Sequence, residues 1–328
     1  MFHIRRKYFY FLLILIFSGL KQGFAQQLPA QSKLALDRHQ DSLSHFADDI
    51  VNAPEPEQRF RSDSFFVRML VRALKVPNSF YYPFDSLQTI SKLYAPDSSF
   101  RIFTWQVKKD EFVYIQRGAI QKRTEDGSLK LIPLHDASMF TSKPEDSVRT
   151  AANWIGAIYY RIIENTYQGK PVYTLLGFDS YDIGSNKKWM DILTFNERGE
   201  PEFGGPYFSF KNDTANSFGK NQMRFCIEYN KDAGTTFNYD SSLNMIVYDH
   251  LISESNEPLR KDTYVPDGDY EGFRWQNGKW FHIIKVFNIA LHDGQYPQDL
   301  KILNDAGGID ENKLKEQSEI NKKKADAK

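Results

Sequence analysis

Cysteine is nearly absent: Cys226 is the only one among 328 residues, so no intramolecular disulfide can form. A hydrophobic core must hold the chain together, and about 300 residues suffice, since chains of that length bury roughly 75% of their unfolded surface. Charge of one sign is lacking too. Forty-two Lys and Arg face 42 Asp and Glu, and basic runs between the two ends of the chain stop at two residues. A nucleic-acid partner, which favours a strongly basic patch, is not expected. Motifs of nucleophilic chemistry are missing as well. There is no G-x-S-x-G, no H-E-x-x-H, no phosphate-binding G-x-x-x-x-G-K and no C-x-x-C. S-x-x-K occurs at Ser185–Lys188 and Ser217–Lys220, but without S-D-N or K-T-G it reads as coincidence.

What is present begins at the N-terminus. Arg5, Arg6 and Lys7 precede the apolar run "YFYFLLILIFSGL", and Gly23 and Ala25 stand three and one residues before a cleavage point at Gln26. That is the layout of a secretory signal peptide. Thirteen apolar residues fall short of the ~20 needed to span a bilayer, so residues 1–25 are expected to be removed and no membrane span to remain. Cleavage takes away Arg5, Arg6, Lys7 and Lys21, leaving 38 basic residues against 42 acids and a net charge of −4. A periplasmic or extracellular location follows.

Residues 26–97 read as a helical segment packed on a β domain. Leu36, Leu43, Phe46 and Ile50 recur at helical spacing with Ser32 as the N-cap, and "APEPE" ends that helix. A second stripe uses Val67, Leu70, Val71 and Leu74, and a third helix is expected in "FDSLQTISKLY". From 98 to 305 the period is two. "SFRIFTWQV" is apolar on much of both faces, and short strands with Gly and Asn turns continue to "WFHIIKV". The fold class is therefore mainly β, an antiparallel meander with N-terminal α-helices, in the form of a curled barrel, a short propeller or a sandwich. The break "HDASMFTSKPEDSVRTAANW" has room for one helical turn after Pro144. Residues 306–328 are dense in charge and read as a flexible tail.

"RWQNGKW" is the strongest local signal. Asn277-Gly278 suits a type I′ turn, which needs positive φ at both central residues. That register sets Trp275 opposite Trp280 at a non-hydrogen-bonded position, with Phe273 and His282 continuing the face. The segment resembles the designed tryptophan-zipper hairpins. Just before it, Asp267, Asp269 and Glu271 stand at i, i+2 and i+4, which in a strand places all three on one face. They are the candidate binding residues. A calcium ion is the ligand to weigh against them, yet the EF-hand comparison fails because Asn277 stands where a bidentate Glu belongs. "VPDGD" reads more simply as a turn, and "DSYDIGSNKKWMD" meets the same objection. No cofactor and no metal ligand is assigned. No two of the remaining histidines share a metal-pair spacing, and Cys226 reads as a small half-buried residue.

"GFAQ", "YTLLGFDSYD", "NMIVYDHL" and "YVPDGDYEGFRWQNGKW" are similar to segments of secreted β-rich proteins of Bacteroidota. That resemblance implies an envelope or extracellular setting and brings no catalytic residue, cofactor or substrate. The function expected is a non-enzymatic binding or structural module with an envelope protein or a glycan as partner. The alternative is a glycan or ester hydrolase working through carboxylates that spacing alone does not reveal. An exposed apolar face on the first two helices would favour a component of an assembly.

Overall fold

The computed structural model describes residues 28–210 and 222–287, together with helical positions 315, 318, 319, 322 and 323. The expected leader at 1–25 lies outside the described residues. Two compact units divide the chain, Met1–Val286 and Phe287–Lys328. The second contains the expected tail at 306–328, and its described positions from 315 onward are helical. Everything below concerns the first.

Two helices, α1 (Ala30–Asn52) and α2 (Pro56–Leu74), open the fold. The break between them is where "APEPE" placed it. Arg59 fixes it by donating to the carbonyls of Ala53, Pro54 and Lys108. Four strands follow as a meander: β1 (Ser91–Tyr94), β2 (Phe100–Lys108), β3 (Tyr114–Lys122) and β4 (Lys130–His135). The second sheet uses β5 (Arg149–Thr150), β6 (Ile158–Tyr167), β7 (Lys170–Asp179), β8 (Ser185–Phe195) and β9 (Pro201–Phe203) in the order β5-β9-β8-β7-β6. β10 (Phe208–Ser209) departs to the third sheet, and β11 (Phe225–Asn230) returns to the second beside β8. β12 (Phe237–Asp240), β13 (Met245–Ser253), β14 (Tyr264–Gln276) and β15 (Lys279–Ile283) complete the third sheet, ordered β10-β15-β14-β13-β12. Among the described strands all pairings are antiparallel except β10 with β15, and an isolated parallel bridge joins Asp136 to Trp154. The fold is mainly β, and among the described residues no sheet closes into a barrel.

Three buried clusters record how the layers stack. One joins the helices to Phe103, Trp105 and Val107 of β2. The next joins Phe100 and Ile102, on the opposite face of β2, to Tyr173, Leu175, Trp189 and Leu193 of the second sheet. The third joins Val172, Leu176, Met190 and Ile192 to Ile246, Tyr248, Phe273 and Trp280 of the third sheet. Because successive strand residues point to opposite faces, β2 and β7 divide their side chains between two cores. This explains why "SFRIFTWQV" is apolar on both sides: it belongs to a middle layer.

Two guanidinium groups lie inside these cores. Arg101 is fully buried and donates to Gln121 Oε1, to the Tyr94 hydroxyl and to the carbonyls of Tyr82 and Ser79. Phe80, Phe84, Tyr94 and Phe103 surround it, the nearest ring centroid 4.8 Å away. Burial lowers its pKa to about 10, so the cation persists at neutral pH with rings and carbonyls for company. Arg224 pairs with Asp191 instead.

The structure corrects several local expectations. α1 begins at Ala30 behind Pro29, and Ser32 is buried within it without capping. On α2 the buried stripe is Phe66, Leu70, Ala73 and Leu74, while Val67 is 37% exposed. The expected third helix does not form. Its Phe84, Leu87 and Ile90 are spaced for a helix but anchor an irregular stretch to the first core, and the segment ends as β1 paired with β2. The helical turn expected after Pro144 forms as a 3-10 turn at Ala151–Asn153, and a second 3-10 turn stands before Pro144 at Ser138–Phe140. "VPDGD" is not a chain reversal either. It is a bulge inside β14, where Asp249 pairs with Tyr270 and Leu251 with Pro266. Gly268, at φ +94°, supplies the backbone conformation that such a bulge needs.

The hairpin forms as read. Trp275 pairs with Trp280 and Gln276 with Lys279, and Asn277 and Gly278 have φ of +48° and +77°.

Candidate functional site

The cross-strand register of the third sheet assembles a cluster that residue spacing did not reveal. Tyr248 and His250 are two apart on β13, and Glu271 of β14 lies directly opposite Tyr248. His282 of β15 lies opposite Phe273, the same-face neighbour of Glu271. Glu271, buried, accepts a hydrogen bond from the Tyr248 hydroxyl at 2.6 Å. The same oxygen is 2.7 Å from His282 Nε2. Its other oxygen lies 3.6 Å from His250 Nε2, and His250 Nδ1 lies 2.8 Å from Asp267 Oδ2.

The bulge is what brings Asp267 in. Residues 267–269 stand against His250 alone, which breaks the simple alternation. The Asp269 N–H donates to Asp267 Oδ1 at 3.0 Å, closing a local turn and turning the other oxygen toward His250. Burial works against the Asp267 carboxylate, but this N–H and His250 more than offset it and lower its pKa. Of the three candidate acids, Asp267 and Glu271 therefore converge. Asp269 is exposed and meets Lys285 at 3.2 Å. The one-face arrangement expected of the trio is lost at the bulge. Among the described residues no group of three or more His, Cys, Asp or Glu is arranged to hold a metal ion. The oxygens of Asp267 and Glu271 are committed to His250, Tyr248 and His282, so the calcium reading gains no ligand set.

This cluster opens into a pocket of about 310 Å³ between the third sheet and β11. Cys226, Glu228, Asp249, His250, Lys261 and Glu271 are among its walls. The volume is at the lower end of the range for small-molecule sites. Four carboxylates, Glu145, Glu228, Asp249 and Glu271, outnumber the two ammonium groups of Lys187 and Lys261. Both cations already have company. Lys187 lies 3.4 Å from Glu228 and over the Tyr181 ring, and Lys261 lies 3.9 Å from the Tyr264 ring centroid. The field inside therefore favours a positive group. Cys226 adds no nucleophile, because burial pushes its thiol well above the ordinary range. Ser185 and Lys188 do not act together: Ser185 bonds Glu228, while Lys188 donates to the Thr235 carbonyl.

A second cavity of about 410 Å³ lies between α2 and β3–β4, against Val67, Leu70, Leu131 and Pro133. It is mainly apolar, and of the charged groups on its wall Asp63 is engaged by Arg117 at 3.0 Å and by Trp105 Nε1 at 2.8 Å. Leu34 and Val51 of α1 and Phe65 and Val67 of α2 are exposed, although Phe65 stacks on Phe46 at 5.3 Å.

Asp179, between the first and second sheets, is a further perturbed carboxyl. It accepts from Gln116 Nε2 at 2.7 Å and from the Tyr181 N–H at 3.0 Å. Burial raises its pKa from 3.8 to about 6. The folded state then holds more protons than the unfolded chain between about pH 4 and 6, so this group makes stability fall as pH rises through that window. The prediction is that Asp179→Asn stabilises the protein at pH 7.5 by about 1–3 kcal/mol and makes little difference at pH 4. Urea unfolding at both pH values checks it. A variant less stable at pH 7.5 than at pH 4, relative to wild type, would refute the assignment.

His250, His282 and Tyr248 were missed because their meeting depends on strand register. The nearest sequence signal was the i, i+2 spacing of Tyr248 and His250, which strand alternation alone places on one face. Compared with known proteins, the chain matches no family, no curated protein and no solved structure.

Proposed function

We propose that this is an exported envelope or extracellular protein whose pocket between β11 and the third sheet binds a small polar ligand bearing a positive charge. The carrying observation is His250, held between Asp267 at 2.8 Å and Glu271 at 3.6 Å at the wall of a pocket with excess carboxylate. Export rests on the N-terminal pattern of Arg5, Arg6, Lys7, an apolar run and Ala25. The binding reading rests on a concave site of ligand size with a few convergent polar groups.

One observation favours a hydrolytic reading as the second. A carboxylate that fixes Nδ1 of a histidine leaves Nε2 to act as a base, and Asp267 holds His250 in that manner. His250 or Glu271 would then activate a water toward a bound ester or glycoside. Binding is preferred because the pocket offers no activated nucleophile.

The test is a melting-temperature panel on residues 26–328 with amino sugars, peptidoglycan fragments, polyamines, short peptides and divalent metals. A ligand at 100 times its dissociation constant contributes ~2.7 kcal/mol, which moves the melting point by roughly 4–5 °C in a chain of this length. The expected result is a shift with a cationic ligand that His250→Ala abolishes without lowering the melting point of the free protein by more than a degree or two. A shift that survives in His250→Ala would place the site elsewhere. Release of product from a shifting ligand would select the hydrolytic reading.

A further inference from the structure

The wall that β11 presents to the pocket is a strand edge. Cys226, Ile227 and Glu228 are consecutive, and consecutive strand residues line one pocket only when it runs along the edge of the strand. One hydrogen bond fixes which main-chain groups face it. The Lys231 N–H donates to the Gly184 carbonyl at 2.9 Å, just beyond the pair Asn230–Ser185. In an antiparallel ladder, a bond in that position makes Asn230–Ser185 a non-hydrogen-bonded pair. By alternation, Glu228–Lys187 and Cys226–Trp189 are non-hydrogen-bonded too. Ile227 therefore spends its main-chain groups on β8, while Cys226 and Glu228 turn theirs outward. Among the described residues β11 pairs with β8 alone, and the outward groups of Cys226 and Glu228 have no main-chain partner.

We infer that the ligand of this pocket is an extended peptide that adds to β11 as a further strand, with a Lys or Arg side chain seated among the carboxylates. This rests on the pocket being the binding site, and it specifies the occupant. An unpaired strand edge offers alternating donors and acceptors to another extended backbone. Two ligand residues, opposite Cys226 and Glu228, exchange main-chain hydrogen bonds with them. The residue between, opposite Ile227, sends its side chain to the same face as Ile227. Ile227 belongs to the core facing the third sheet, so that side chain is aimed toward Glu271, Asp249 and His250. On that side the pocket is lined by Asp249 and Glu271, while Lys261 is already engaged with the Tyr264 ring, so a basic residue is selected there. A free amino sugar would satisfy the charge and leave the strand edge unused.

The experiment uses a library of acetylated, amidated pentapeptides randomised at the three central positions, screened on the full exported chain. Peptides with a central Lys or Arg are expected to be enriched, and Glu271→Gln is expected to weaken that preference. N-methylation of either residue flanking the basic one removes an N–H that pairs with β11. It should weaken binding about tenfold, the effect of one lost main-chain hydrogen bond. N-methylation of the basic residue itself, whose N–H points away, should be tolerated. On the protein side, Glu228→Pro deletes an outward N–H without touching the β8 ladder, a position where an edge strand accepts proline. It should bind about tenfold more weakly than Glu228→Ala, which removes only the side chain. Equal losses from all three N-methylations, or equal binding by Glu228→Pro and Glu228→Ala, would overturn strand addition. If no peptide binds while a non-peptide amine still gives a His250-dependent melting shift, the peptide inference fails and the pocket survives. If neither binds, both fail.

Discussion

Asp191→Ala is expected to destabilise the protein by about 3–5 kcal/mol, the cost of stranding a buried cation. Arg224 and Asp191 are both almost wholly inaccessible, and Arg224 Nε lies 3.3 Å from Asp191 Oδ1. Burial pushes the Asp191 carboxyl up, and Arg224 pulls it back toward the charged form. Three of the four remaining guanidinium N–H groups donate to the carbonyls of Phe203, Ser147 and Pro144. These ties bind β9 and the segment before β5 to the base of β11. Alanine at 191 leaves the cation without its counter-charge in a site that water does not reach. The double variant Asp191→Leu with Arg224→Met should recover much of the loss, because a buried pair replaced as a unit forfeits little net energy. Urea unfolding of the single and double variants measures both quantities. A single variant within 1 kcal/mol of wild type would show that the site admits water.

The second large effect separates two residues that look equivalent in sequence. Trp280→Ala should cost about 3–5 kcal/mol, as expected when a fully buried aromatic is truncated. Trp275→Ala should cost about 1 kcal/mol, the scale of a cross-strand pair. Trp280 is 1% exposed and donates from Nε1 to Thr174 Oγ1 of β7 at 2.9 Å. It is therefore the hairpin's anchor in the core between the second and third sheets. Trp275 is half-buried and lies against Trp280 at 5.3 Å and Tyr207 at 6.4 Å. The two losses compared by urea unfolding test this placement, and equal losses would contradict it.

That asymmetry shows where sequence reasoning stops. The Asn-Gly turn, the Trp275–Trp280 register and the switch from helical to strand period near residue 98 are local, and they were legible. The two-faced apolar character of β2 was visible as well, although its cause, a position between helices and a second sheet, was not. The third helix failed because Phe84, Leu87 and Ile90 serve as anchors of an irregular segment, and such anchors can share helical spacing by accident. The candidate site was half legible. Asp267 and Glu271 stood out as neighbouring acids, but a bulge centred on Gly268 sent Asp269 to solvent. His250 and His282 joined them only through pairing across three strands. Register between strands is set by the whole sheet, and no local pattern encodes it.

The central claim is that ligand meets the protein at His250, and imidazole NMR reads this most directly. The measurement is the histidine Cε1–Hε1 spectrum, assigned with His250→Ala, during titration with the ligand that gives the largest melting shift. The account predicts that the His250 resonance moves in proportion to saturation while those of His39, His45 and His135 stay fixed. A ligand that saturates the protein, moves any of those three and leaves His250 unmoved would contradict it.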